Sequence, residues 1–147
     1  MPQPARWQLD ETIPSEGQSA QRFIEQIGEQ LEIHGWSDRE MFQVRMAVEE
    51  AVTNAIEHGN GRDPTKQIRL ACAIDDESFS LEVTDQGQGF CRDDVPDCTE
   101  FDRREMQRGR GLMLMESFMS NVEYVSRGNR VRLHRRREDP KFHHPKG

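Results

Sequence analysis

The chain has 147 residues, 33% hydrophobic and 32% charged, and its 20 Lys and Arg against 27 Asp and Glu leave a net charge of −7. That length favours a single domain, and the acidic balance argues against a chain drawn as a whole to nucleic acid or to an anionic membrane. No apolar run nears the about 20 residues of a membrane span, the polar start MPQPARWQLDE is no signal peptide, and Cys72, Cys91 and Cys98 show neither a CxxC pair nor zinc spacing, which together point to a reduced, cytoplasmic protein without structural metal or disulfides.

In chain order, Arg6 to Ile13 alternates loosely and stops at Pro14, as a short edge strand does. Ser15 is the expected N-cap of a polar helix that runs to about His34, with Phe23, Ile24, Ile27 and Leu31 on one stripe and Gly35 as its stop. Ser37 and Glu40 form a capping box for a second helix reaching about His58. Met41, Val44, Val48, Val52 and Ala55 recur on its core face. Lys66 to Ile74 and Phe79 to Thr84 alternate as two antiparallel strands, each with one buried and one wet face. Residues 92–108 are charged and aperiodic, long for a connection and therefore a candidate lid. Gly111 to Ser120 is a third helix with Leu112, Met115 and Met119 on one side. Val122 to Val125 and Arg130 to His134 form a last hairpin, and residues 138–147 read as a loose tail. The order predicts an α+β fold over residues 1–137: a two-layer sandwich, mostly antiparallel sheet with helices on one face.

Three stretches carry candidate chemistry. In EEAVTNAIEHGN, Glu50 and Asn54 stand one turn apart on a single helix face, while Glu49 lies about 100° round the helix. In TDQGQGF, Asp85 leaves a strand beside Gly87 and Gly89, which let a ligand approach the backbone. In RGRGLMLM, Gly109 and Gly111 flank Arg110 where a helix opens, and the free amides and positive end of a helix attract phosphate. Each alone has an ordinary structural explanation: a solvated helix face, a strand-ending turn, a capped helix start. Their ordered combination within one short span distinguishes the chain.

That ordered set resembles the GHKL (histidine-kinase-like) ATPase superfamily, and EAVTNAIEHGN, VTDQGQGF and GRGLMLMESFM resemble its bacterial anti-sigma-factor serine/threonine kinases. The resemblance implies the Bergerat ATPase fold with ATP and Mg²⁺ as cofactors. It implies that Glu50 takes the proton from a target serine and that Asn54 holds Mg²⁺. It assigns Asp85 to the exocyclic amine of adenine, with Gly87 and Gly89 next to the purine. Gly109, Arg110, Gly111 and Leu112 match the phosphate cradle, and of Arg103, Arg104 and Arg108 the last is nearest to its glycines. Met113 and Met115 depart from the pattern and suit a core. Glu57, three residues after Asn54, would repel phosphate if it faced the pocket.

The implied function is a protein kinase that silences a sigma factor and phosphorylates an anti-anti-sigma partner. The alternatives are a non-catalytic, nucleotide-responsive switch that sequesters a partner, and a detached phosphorelay ATPase domain. Members of the family commonly dimerise through the sheet, so a homodimer is implied as well. The basic cluster Arg130, Arg132, Arg135, Arg136 and Arg137 reads as a strand face and tail or a partner interface, in preference to a nucleic-acid patch.

Overall fold

The computed structural model describes residues 6–87, 111–125 and 129–142. Strand β1 (Trp7–Pro14) leads into helices α1 (Gly17–Ile33) and α2 (Asp38–Asn54), and α2 runs on into a π-helical turn, Ala55–Gly59. Strands β2 (Gln67–Ile74) and β3 (Ser78–Thr84) follow, then helix α3 (111–118) and strands β4 (Asn121–Val125) and β5 (Arg130–Arg136). A single 3₁₀ turn, Pro140–Phe142, closes the described part.

The five strands form one sheet in the order β1-β2-β3-β5-β4, every neighbouring pair antiparallel. Period-two alternation decides its faces. Ile68, Leu70, Cys72 and Ile74 of β2 and Phe79, Leu81 and Val83 of β3 point into the core, with Val131 and Leu133 of β5 beside them. They meet the stripes Phe23–Ile24–Ile27–Leu31 of α1 and Val44–Val48–Val52 of α2, with Met115 and Met119 from the α3 region. Burial pushes the Cys72 thiol up to about 12, so it behaves as a small apolar side chain. The other face is polar. Across it Asp10 pairs with Arg69 at 2.7 Å and Glu82 with Arg132 at 2.7 Å. This is the expected α+β sandwich, with β1 as an edge strand.

Helix ends follow local chemistry. Gly35, at φ +80°, turns the chain after α1, and the Ser37–Glu40 capping box is formed in both directions. Ser15 is not the N-cap of α1. Its N–H still donates to the Lys66 carbonyl at 3.0 Å, so the chain has not yet left the sheet, and Glu16 takes the cap position. The second helix keeps α geometry only to Asn54. The Asn60 amide then reaches back five residues to the Ala55 carbonyl at 2.8 Å.

The expected tail is packed over residues 138–142. The Glu138 amide donates to Glu40 Oε2 at 2.7 Å, and the Phe142 ring is buried 3.6 Å from the Arg135 guanidinium carbon. The basic cluster is divided by the same packing. Arg130 and Arg132 face Glu82 on the open side, Arg135 is buried, and Arg136 pairs with Asp139 at 3.3 Å. Arg137 donates to the His34, Gly35 and Asp76 carbonyls.

Candidate functional site

Helix α2 sets Glu50 and Asn54 on one ridge, both half-buried, beside a core stripe that fixes the rotation of the helix. Helix α3 approaches that ridge with its first residue. A Cβ added at Gly111 would overlap Glu50 Oε1 and lie 2.7 Å from Asn54 Nδ2. The backbone of Gly111 therefore rests on the ends of both side chains, which would have to move for any larger residue. Asn54 Nδ2 is buried and has no hydrogen-bond partner among the described residues. Leu112, next on α3, is half-buried.

The π-helical turn carries the chain from this ridge to the exit of β3. A Cβ at Gly59 would overlap the Asp85 carboxylate, and one at Gly87 would overlap the Gly59 carbonyl oxygen. Asp85 is buried. Its Oδ1 accepts the Gly87 N–H at 2.8 Å and its own N–H donates to the Asn129 carbonyl at 2.9 Å. Asn129 Nδ2 returns a bond to the Asp85 carbonyl at 3.4 Å, while Asn129 Oδ1 is buried without a partner among the described residues. Asn60 joins the turn to its surroundings, accepting from the Gln86 amide at 2.7 Å and donating to the Gln67 carbonyl at 3.0 Å.

Of the residues singled out in the sequence, Glu50, Asn54 and Gly111 thus meet at one end of the segment 54–60, and Asp85 and Gly87 at the other. Gly89, Arg108, Gly109 and Arg110 lie outside the described residues, as do Arg103, Arg104 and the lid at 92–108. Glu57 pairs with Arg62 at 3.8 Å, its side chain 39% exposed, which gives the expected source of repulsion a cation of its own. Asn60 and Asn129 were not singled out in the sequence. Both sit in Gly-Asn dipeptides, where asparagine is an ordinary turn residue, so no pattern separates them from punctuation.

Chemically, one end offers a carboxylate and an amide under a helix start, which suits an anion together with a group to be deprotonated. The other offers a buried carboxylate between close-packed glycine backbones, which suits a flat ligand bearing an N–H donor. Among the described residues no group of three His, Cys, Asp or Glu could hold a metal by itself. Asn54 also carries a carbonyl oxygen, the ligand type a hydrated hard cation takes, and its Nδ2, without a partner among the described residues, is a donor suited to an anionic oxygen beside such a cation.

A family model described as a histidine kinase-like ATPase domain matches residues 13–135. Among curated relatives, an anti-sigma F factor of Clostridium perfringens is 32% identical over 116 residues, covering 76% of each chain. Anti-sigma F factors of Oceanobacillus iheyensis and Halalkalibacterium halodurans are 31% and 36% identical over 91 residues, covering 59% of this chain. The match spans 61% of the length of each of those two relatives.

Proposed function

We propose, from the premise that the chain belongs to the histidine kinase-like ATPase domain family, that it is an ATP-dependent protein serine/threonine kinase acting as an anti-sigma factor. In this reading it binds a sigma factor in the cytoplasm and phosphorylates an anti-anti-sigma protein. The observation that supports it is the sharing of one short segment: its start, at Asn54, touches Glu50's neighbour Gly111, and its end, at Gly59, touches Asp85 and Gly87. The reading puts a triphosphate at the first end and a purine at the second.

Each residue then has a task. Asp85 accepts a hydrogen bond from the adenine amine, a charge-assisted contact in a buried setting, with Gly87 and Gly89 flanking the ring. Gly109, Arg110, Gly111 and Leu112 turn backbone amides toward the phosphates, and Arg108 adds positive charge. Mg²⁺ held by Asn54 would offset the negative charge of the phosphate oxygens. Glu50 accepts the proton of the target serine as its Oγ bonds to the γ-phosphorus and the bond to the ADP oxygen breaks. The products are phosphoserine, ADP and a protonated Glu50, which returns its proton to water. The open sheet face with edge strand β1 is the surface through which a homodimer would form.

The test is incubation with labelled ATP, Mg²⁺ and candidate anti-anti-sigma proteins. An acid-stable phosphoester is expected on the partner. Glu50→Ala should retain ATP binding and lose about 10²–10⁴-fold in phosphotransfer, the usual worth of a general base. Transfer by Glu50→Ala at the unaltered rate removes Glu50 from the mechanism. ATP binding with no transfer to any partner leaves a nucleotide-responsive sequestering switch, and an acid-labile product points to a phosphorelay.

A further inference from the structure

We propose that Asn60 is a positioning residue that sets which nucleobase the chain accepts, by holding the loop that carries Asp85; this rests on the base-binding role proposed for Asp85. Asn60 follows the π-helical turn and is 1% exposed. Its own N–H is pinned to the Ala55 carbonyl at 2.8 Å, so the side chain is presented from a fixed backbone. Oδ1 accepts from the Gln86 amide at 2.7 Å, and Nδ2 donates to the Gln67 carbonyl at 3.0 Å.

The Gln86 amide and the Asp85 carbonyl belong to one rigid peptide plane. Asn60 grips that plane by its N–H and Asn129 grips it by its C=O, at 3.4 Å. Gln86 closes the circuit, its Oε1 accepting from the Gln67 amide at 2.7 Å. The start of β2 is therefore bonded to the segment that bears Asp85 directly, through the Gln67 N–H to Gln86, and by way of Asn60, through the Gln67 carbonyl.

Discrimination between an amino and a keto purine requires an acceptor fixed in direction, because the wrong base is rejected by leaving buried polar groups unpaired. The direction of the Asp85 carboxylate follows this peptide plane, since Oδ1 is tied to the Gly87 amide two residues on. Without Asn60 the Gln86 N–H has no acceptor from the π-helical turn, and rotation of the plane to find one turns Asp85 with it. Only a primary amide meets both demands. Aspartate supplies the acceptor but sets a second acceptor against the Gln67 carbonyl, and alanine supplies neither.

The experiment compares affinities of the full chain for ATP, GTP and inorganic tripolyphosphate, each with Mg²⁺, by titration calorimetry well below the unfolding midpoint. The unaltered protein should prefer ATP to GTP. Asn60→Ala should weaken ATP binding about tenfold, the loss of one fixed hydrogen bond, with GTP and tripolyphosphate affinities unchanged, so that the base preference falls by the same factor. Asn60→Asp should lie between, and carries the test if the alanine variant does not fold. A role confined to stability lowers the unfolding midpoint and leaves the preference intact; a folded Asn60 variant with full ATP preference overturns the inference. An unaltered protein without ATP preference removes instead the role of Asp85, and this inference falls with it. Fast hydrogen exchange of the Gln86 amide in the unaltered folded protein also overturns it.

Discussion

The two ends of helix α2 hold polar side chains under opposite conditions. At the N-terminal end Glu40 and Arg135 draw their partners from within the chain, although Gln43 Oε1 on the same helix is buried without one among the described residues. Glu40 Oε1 accepts from the Ser37 hydroxyl at 2.9 Å and the Ser37 amide at 3.4 Å, and Oε2 accepts from the Glu138 amide at 2.7 Å. Arg135, 2% exposed, stands 4.0 Å from Oε2, donates to the Phe118 carbonyl at 2.7 Å and is covered by the Phe142 ring. At the C-terminal end Asn54 Nδ2 has no partner among the described residues, and a Cβ at Gly59, Gly87 or Gly111 would overlap a neighbouring group. Closed polar networks hold a fold in register, and an orphaned amide packed against a glycine backbone calls for a partner that the described residues do not supply. The first end is a fastening and the second a receptacle, and each can be damaged separately.

The largest expected effect lies at the fastening. Arg135→Ala leaves Glu40 without its cation, strands the Phe118 carbonyl and removes the group on which Phe142 packs. Breaking one side of such a buried pair costs about 3–5 kcal/mol, enough to remove much of a small domain's stability. Arg135→Met keeps the stem packing and should lose less. Urea unfolding midpoints check both. Nucleotide affinity of whatever fraction remains folded should be unchanged; a matching loss of affinity would mean that the two ends are one unit and the contrast between them is false.

The receptacle responds in the opposite way to Gly111→Ala. The added methyl meets the ends of the Glu50 and Asn54 side chains, which can rotate aside. Alanine is the better helix former by about 1 kcal/mol, so thermal stability should hold or rise slightly. Phosphotransfer should fall about 10²-fold, because displacement of a reacting group by about an ångström costs that much. A variant that is destabilised but fully active would reverse the assignment of this end.

How much of this contrast the sequence discloses depends on whether a feature has a period. Helix α2 is legible because Ser37 and Glu40 announce its start and its apolar positions repeat every turn. The strands are legible because alternation over seven or eight residues is hard to mistake. Glu50, Asn54 and Asp85 stand out through their spacing from one another and from the glycines. The π-helical turn is too short for a period to register, and Asn60 and Asn129 look like the turn residues around them. Ser15 is a good cap by type, yet the sheet ladder holds its amide. Phe142 is a lone aromatic in a polar segment, and only the burial of Arg135 shows what it covers. Arg135 itself stands two places after Leu133 on the inward face, so strand alternation does place it inside; its charge concealed that within a run of arginines.

The smallest effect concerns acid. Burial opposes ionisation of Glu40, but the Glu138 amide, the Ser37 hydroxyl and amide and the Arg135 charge outweigh it and hold the carboxyl below the ordinary glutamate value. A carboxyl lowered by folding adds stability that is complete above its unfolded value and is lost as pH falls through its folded value. Glutamine at this position still accepts in the capping box but has no charge to lose. Glu40→Gln should therefore be less stable than the unaltered chain at pH 7, and the gap should close as pH drops through the acid range below the glutamate value of about 4.3. Asp75 and Asp139, also lowered by their hydrogen bonds, titrate in both proteins and cancel in the difference. Urea midpoints of the two proteins between pH 7 and pH 3 measure it. A gap that stays constant across that range would show that Glu40 holds the C-terminal segment by shape and hydrogen bonding, with its charge contributing nothing to the fastening.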